Sequence, residues 1–330
     1  MTATVPPAAT DATKTTVAES AESVKQVSAP PLAPQARRVR ALARFATTIT
    51  IFNIVGHALL GFEQAPITPI VAALVSYASI ILFEMLDAWA HDRTPEYAGG
   101  WKNMVVFLLP AHITGLACGM LLWGNASLWP YVLAIVIANG SKYAFRLRVR
   151  GRLRHVLNPS NFGIVVVLLV FPWVGIAPPY HFTSFTIGGL DWLLPLGILM
   201  FGTMLNLKLT GKMPLILAWL GGFAAQAVLR WAIFDHALIG ALLPMTGLAF
   251  ILFTNYMITD PATSPMVPRN QVVFGLTCAA VYGVLVLSGV VFGLFFALVI
   301  TCGLRGVVLY VAPRLPRSAP APAPVPRSST

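Results

Sequence analysis

The feature that most limits what this chain can fold into is its supply of long apolar runs. About 20 residues of α-helix cross the hydrocarbon core of a bilayer. Ten stretches of roughly that length follow one another: 43–62, 66–90, 103–123, 129–145, 159–177, 191–207, 214–234, 237–258, 271–289 and 290–312. Inside lipid a backbone must satisfy its own amides, so runs of this kind form helices. The expected fold is an all-α polytopic membrane protein of about ten transmembrane helices. A chain that is 57% hydrophobic and only 10% charged, with a mean hydropathy of +0.77, lies well outside the soluble range.

The net charge of +11 would point to nucleic acid in a soluble protein. Here the position of each basic residue matters more than the total. If the N-terminus is cytoplasmic and ten spans alternate, 21 of the 22 Lys and Arg residues fall on the cytoplasmic side and only Arg230 falls outside. Both termini are therefore expected in the cytoplasm. The basic charge then serves topology and contact with anionic lipid, and the expected partner is the bilayer, with no nucleic acid.

Residues 1–36 and the stretch "PRLPRSAPAPAPVPRSST" (313–330) are rich in Ala, Pro, Ser and Thr without helical periodicity, and both read as disordered tails. Between them lies a membrane domain, 37–312. Cys118, Cys278 and Cys302 all sit in apolar runs without metal-site spacing, so they read as packing residues and no metal is expected.

The membrane domain contains a repeat. "LLPAHITGLA" (108–117) in span three and "LLPMTGLA" (242–249) in span eight share Leu-Leu-Pro and Thr-Gly-Leu-Ala. Five spans separate them, so the copies run in opposite directions, as in an inverted five-plus-five repeat with halves of about 40–177 and 178–312. In such folds, helices broken at matching positions mark the central site, and Pro110 and Pro244 are expected to break theirs.

Two spans carry polar stripes. Thr50, Asn53 and His57 share one face of span one, and Glu84, Asp87 and His91 recur at helical spacing near the end of span two. His112 stands two residues beyond Pro110. Ionisable groups at membrane depth are costly and face the protein interior. His57, Glu84, Asp87 and His112 are therefore candidates for a proton or ion path. For Glu84 and Asp87 the alternative is structural: pairing with Arg93 or with the basic run 142–155.

Two motifs interrupt the apolar pattern. In "RHVLNPSNFGIVVVLL" (154–169), Asn158 precedes Pro159, an arrangement suited to capping a helix, and Asn161 offers a polar contact. In "TDPATSP" (259–265), Thr259 and Asp260 follow span eight, and the prolines prevent its continuation. Asp260 is expected to meet an arginine such as Arg152, Arg154 or Arg269. Asn158, Asn161, Thr259 and Asp260 could together line an inner vestibule.

These two motifs on a ten-span layout resemble the membrane-subunit family that contains the D subunit of Rnf electron-transport complexes and the B subunit of the sodium-translocating NADH:quinone reductase. Finer stretches are similar to its UnbU-type subgroup, from bacterial enediyne biosynthesis: "GHALLGFEQAPITP" (56–69), "YAGGWK" (97–102), "LLPAHITGLACGMLLW" (108–123) and "FPWVGIAPPY" (171–180). The resemblance implies a bacterial inner-membrane protein that serves electron transfer, with other redox or biosynthetic subunits as partners. It also implies FMN attached to the threonine of a Ser-Gly-Ala-Thr motif in the loop after span five. That loop reads "PPYHFTSFTIGGLD" (178–191), the motif is absent from the chain, and the nearest threonines, Thr183 and Thr186, lack its flanks. Covalent FMN is therefore not expected, and any cofactor would be a non-covalent flavin or a quinone, or belong to a partner subunit. The competing readings are a transporter or channel for a small molecule or ion, and a cofactor-free scaffold. The aromatic residues Trp123, Trp129, Tyr131, Trp173, Tyr180, Trp192 and Trp231 read as an interfacial belt.

Overall fold

The computed structural model describes residues 34–149, 151–178, 182, 184–185 and 188–312, so the two expected tails, apart from 34–36, and Tyr180, Thr183 and Thr186 lie outside the described residues. The chain divides into two compact units, Met1–Arg38 and Val39–Thr330. The first is described only over 34–38, where a helix begins, and all later elements belong to the second.

Helices dominate. In chain order they are α1 (Pro34–Val55), α2 (Ile67–Ala90), α3 (Trp101–Leu121), α4 (Trp129–Ala144), α5 (Pro159–Val170), α6 (Leu193–Leu205), α7 (Met213–Phe234), α8 (Leu238–Leu242), α9 (Leu248–Leu252), α10 (Pro268–Leu287) and α11 (Gly293–Val311). Among the described residues, seven helical segments are long and apolar enough to cross a membrane, or eight if a bent pair counts as one span. The bent pair is α8 and α9, which meet at 64°. The shorter apolar α5 has 12 residues. Large apolar side chains stay exposed along these helices, among them Ile54, Leu74, Leu169, Leu217 and Val284. Such a surface suits a lipid solvent and would be a liability in water.

Several boundaries depart from expectation for identifiable reasons. Helix α1 begins at Pro34, inside the expected tail and upstream of the expected span. Helix α5 stops at Val170 instead of continuing to residue 177. Pro172 cannot continue it, and Gly175–Ile176 instead pair antiparallel with Leu122–Trp123. The basic run forms a small hairpin, Arg146–Val149 against Arg152–His155.

The two prolines of the repeat do not behave alike. Helix α3 passes straight through Pro110. Thr114 Oγ1 donates to the Pro110 carbonyl at 2.7 Å and Ser76 Oγ of α2 to the Ala111 carbonyl at 2.6 Å, so this turn is tied to polar side chains. Pro244, by contrast, lies in a 3-10 turn (Leu243–Thr246), and the chain bends just beyond it at Gly247. Only one of the two expected breaks is present.

A clearer internal match appears at two helix ends. Helix α1 runs into a π-helical turn, Gly56–Leu60, closed by Gly61 at φ 71°, with the Phe62 amide donating to the Gly56 carbonyl. Helix α6 runs into a π-helical turn, Asn206–Thr210, closed by Gly211 at φ 63°, with the Lys212 amide donating to the Asn206 carbonyl. Both glycines adopt the left-handed conformation that side chains resist.

Close helix contacts rest on small residues. A side chain at Gly115 of α3 would stand 2.6 Å from the Ala72 carbonyl oxygen of α2, and one at Gly275 of α10 would stand 2.8 Å from the Leu215 carbonyl oxygen of α7. Trp219, Phe223, Phe250, Phe253 and Tyr282 fill the α7–α10 side with mutually tilted and stacked rings.

Candidate functional site

The polar side chains of α1, α2, α3 and α4 gather around the Pro110 turn. His112 is held at both ring nitrogens, with Thr50 Oγ1 2.7 Å from Nε2 and Tyr77 Oη 2.5 Å from Nδ1. The directions of these bonds follow from the hydroxyls. Thr50 spends its only proton on the Ala46 carbonyl at 2.7 Å, so it accepts from His112 Nε2–H. Nδ1 of the neutral ring is then bare and accepts the Tyr77 proton. His57 has the opposite tautomer. Its Nδ1 lies 2.9 Å from the Asn53 carbonyl, which can only accept, so Nδ1 carries the proton. In the neutral ring Nε2 is then an acceptor, and it is buried without a partner.

These groups border a cavity of about 440 Å³ between α1, α2 and α3, whose walls include Thr50, Asn53, His57, Pro69, Leu74 and His112. Its remaining lining is aliphatic or proline, and none of it is Lys or Arg. Asn53 Nδ2 gives one N–H to the Ile49 carbonyl at 2.8 Å, which leaves its second N–H free for another acceptor. The stripe Thr50, Asn53 and His57 and the lone His112, which the sequence places on separate spans, therefore share one cleft.

Behind the cleft a second polar cluster was not anticipated. Asn139 of α4 donates to the Ser76 carbonyl and to the Ser76 and Ser79 hydroxyls at 2.9–3.1 Å. Lys142 donates to Asn139 Oδ1 at 3.0 Å and Thr114 Oγ1 at 3.2 Å. The sequence reading assigns Lys142 to the basic loop. The signal that could have found it is the spacing of Asn139 and Lys142, which puts both on one helical face.

Glu84 and Asp87 lie apart from the cleft, in a salt-bridge network at the end of α2. Arg93 meets Glu84 at 2.6 Å and Asp87 at 2.5 Å, and Arg146 of the hairpin meets Asp87 at 2.7 Å. Tyr143 and the Glu96 amide also donate to Glu84. The hydrogen bonds that the Arg93 guanidinium donates to Glu84 and to Asp87 hold it above its ordinary pKa. This arrangement is the structural pairing anticipated for these two acids.

The vestibule candidates mostly tie elements together. Asn158 caps α5, accepting from the Asn161 amide at 3.1 Å, and its amide donates to the Met257 carbonyl at 3.0 Å. Asn161 donates to the Phe295 carbonyl at 2.8 Å, and its Oδ1 is buried without a partner. Thr259 donates to the Asn255 carbonyl at 2.7 Å.

Among the described residues Asp260 forms no arginine pair, and the side chain of Arg152 lies outside them. Asp260 accepts instead from the Ala262 amide at 3.2 Å and the Thr263 hydroxyl at 2.8 Å, within its own loop. A tight Asx turn saturates the carboxylate locally. The loop's carbonyls attract the cations: Arg305 donates to Thr263 at 2.6 Å, and the fully buried Lys212 to Pro265 at 2.6 Å. Burial pushes the Lys212 amine down to about 8, with Asp260 opposing and Arg305 and Arg154 adding to the shift.

Of the aromatic belt, Trp129, Trp173, Trp192 and Trp231 are exposed. Tyr131 is not part of the belt, because it is buried and its hydroxyl bonds Leu122 and Gly124. The three cysteines are buried and unpaired, and no metal-holding cluster occurs among the described residues.

Fold and site together define a helical, multi-pass membrane protein with a polar-lined cleft between its first three helices. Set against known proteins, the chain matches no family model and no curated protein at a significant level.

Proposed function

We propose that this chain is a ten-span, inverted-repeat protein of the bacterial inner membrane with both termini cytoplasmic. It is related to the membrane-subunit family of Rnf D and NADH:quinone reductase B and acts as an accessory redox component, as in enediyne-type biosynthesis. The repeat is supported by the paired π-helical turns closed by Gly61 and Gly211, each followed by a helix that opens beside a proline, Pro66 and Pro214. The orientation rests on the distribution of basic residues.

The observation that carries the redox reading is the α1–α2–α3 cleft. One helical turn of α1 presents an N–H donor, from Asn53, and a bare ring nitrogen, from His57. That pair complements a head group which alternates between carbonyl and hydroxyl, as a quinone does. Covalent FMN does not fit, because its attachment motif is missing. A non-covalent FMN fits poorly, because its phosphate would enter a lining without Lys or Arg. A neutral quinone fits the cleft. When bound it would supply the electron-carrying chemistry, while Asn53 orients the ring and His57 Nε2 holds a proton of the hydroxyl form.

Purified protein should release a quinone on organic extraction, and acid precipitation should leave no flavin in the pellet. Protein free of quinone and flavin would sink the redox reading. The transport reading has its own support in Lys142, whose amine is hydrogen-bonded only to neutral oxygens of Asn139 and Thr114. An ion pathway would use such a group. Substrate-dependent flux in liposomes that is lost in Lys142→Met would favour it.

A further inference from the structure

Arg230 is the basic residue that topology leaves on the far side, and its surroundings are unlike those of every other described cation in the domain. It lies in the last turns of α7 and is only 6% exposed. Its side chain makes no hydrogen bond to a described residue, and Nε is shut off without a partner. The ion pairs among the described residues all involve Glu84 or Asp87, and Arg230 belongs to none of them. Asp235, the acid nearest in sequence, caps α7 in a left-handed conformation and is exposed, without pairing to Arg230.

One turn earlier on the same face, Gln226 is 8% exposed, with Oε1 likewise buried and unpartnered and its amide spent on the Phe223 carbonyl. A small rotation could let Gln226 Oε1 take the Arg230 Nε–H. A neutral amide cannot balance the charge, however, and the two terminal nitrogens, which are not sealed as Nε is, have no acceptor among the described residues. A guanidinium in this setting is kept only when a counter-charge reaches it. Its planar fork matches a carboxylate or phosphate in two parallel bonds.

We propose that Arg230 anchors an anion site that takes a carboxylate or phosphate group at the end of the α7–α10 pair opposite the 259–265 loop. It is separate from the α1–α2–α3 cleft and does not depend on what that cleft binds. The group could come from a soluble anion or from a phospholipid headgroup, since both present the same oxygens.

The test compares wild type with Arg230→Gln and Arg230→Lys. Thermal unfolding is followed as chloride is replaced stepwise by inorganic phosphate or acetate. In parallel, nanodiscs of phosphatidylcholine with or without phosphatidylglycerol are analysed by native mass spectrometry for retained lipid. The expected result is a saturable rise in unfolding temperature, or retained phosphatidylglycerol, in wild type, weakened in Arg230→Lys and lost in Arg230→Gln. A response to soluble anions assigns a soluble ligand, and retention of phosphatidylglycerol alone assigns a headgroup. If Arg230→Gln does not fold, the Arg-to-Lys comparison decides, because an unchanged midpoint and unchanged lipid retention in Arg230→Lys overturn the proposal. Wild type that responds to neither probe beyond its variants also overturns it.

Discussion

Arg93 forks between two carboxylates one helical turn apart, with Nη1 2.6 Å from Glu84 Oε1 and Nη2 2.5 Å from Asp87 Oδ2. Glu84 is sealed at 1% exposure, while the Arg93 side chain is about a third exposed. The fork folds the 91–96 segment back over the end of α2, and Arg146 joins the hairpin to Asp87. Removing one carboxylate leaves a guanidinium that water can partly serve, so the loss is smaller than for a sealed pair. Glu84→Gln should cost about 1–2 kcal/mol of stability, measured by thermal unfolding in detergent. A double-mutant cycle with Arg93→Ala should show coupling, and strict additivity would contradict the pairing.

Lys212 makes stability depend on alkaline pH. Its amine titrates near 8 in the folded chain against an ordinary value of 10.5. Between those values the unfolded chain binds more protons than the folded one, so stability rises with pH across the window and is flat below it. Wild type should therefore gain stability relative to Lys212→Met between about pH 8 and pH 10.5, and a constant difference would count against the assignment.

Asn158 performs two tasks with one side chain, capping α5 and holding the Met257 carbonyl. Asn158→Ala should cost about 2 kcal/mol, the sum expected for a lost cap and a lost buried bond. Asn158→Asp keeps the cap acceptor and loses the amide donor, so its unfolding temperature should fall between those of wild type and Asn158→Ala.

Gly61 and Gly211 share one backbone cost of substitution but differ in their surroundings. Each closes a π-helical turn at positive φ, and alanine at either should cost about 1 kcal/mol. At Gly61 the Phe185 ring adds a steric cost, since it would lie 2.5 Å from a new side chain, whereas Gly211 is open. Gly61→Ala should therefore be the more damaging of the two in unfolding measurements.

The sequence conveyed the helical membrane class well because lipid imposes a simple length and polarity rule. It conveyed less about where helices end. Pro172 stopped α5 early because the next residues had a strand partner at Leu122–Trp123 that hydropathy cannot register. Pro110 did not break α3, which continues through it, because a proline kinks a helix without ending it where the packing on either side holds the helix in line. Stripes on one helix, such as Thr50, Asn53 and His57, were legible, but their meeting with His112 depends on tertiary packing. The roles of Lys142 and Lys212 were hidden because a lysine beside a basic loop reads as solvated charge until its burial is known. Asp260 was misassigned because a carboxylate satisfied by its own turn has the same local sequence as one awaiting an arginine.

The central claim is that the α1–α2–α3 cleft receives a quinone-like head group between Asn53 and His57. Photo-crosslinking in nanodiscs with an azido-quinone, followed by peptide mapping, tests it most directly. Labels should fall on residues of the cleft, within 50–57, 66–74 or 112–116. Labelling should weaken severalfold in Asn53→Leu and in His57→Leu and be competed by unmodified quinone. Labels elsewhere on the chain, or unchanged labelling in both variants, would contradict the account.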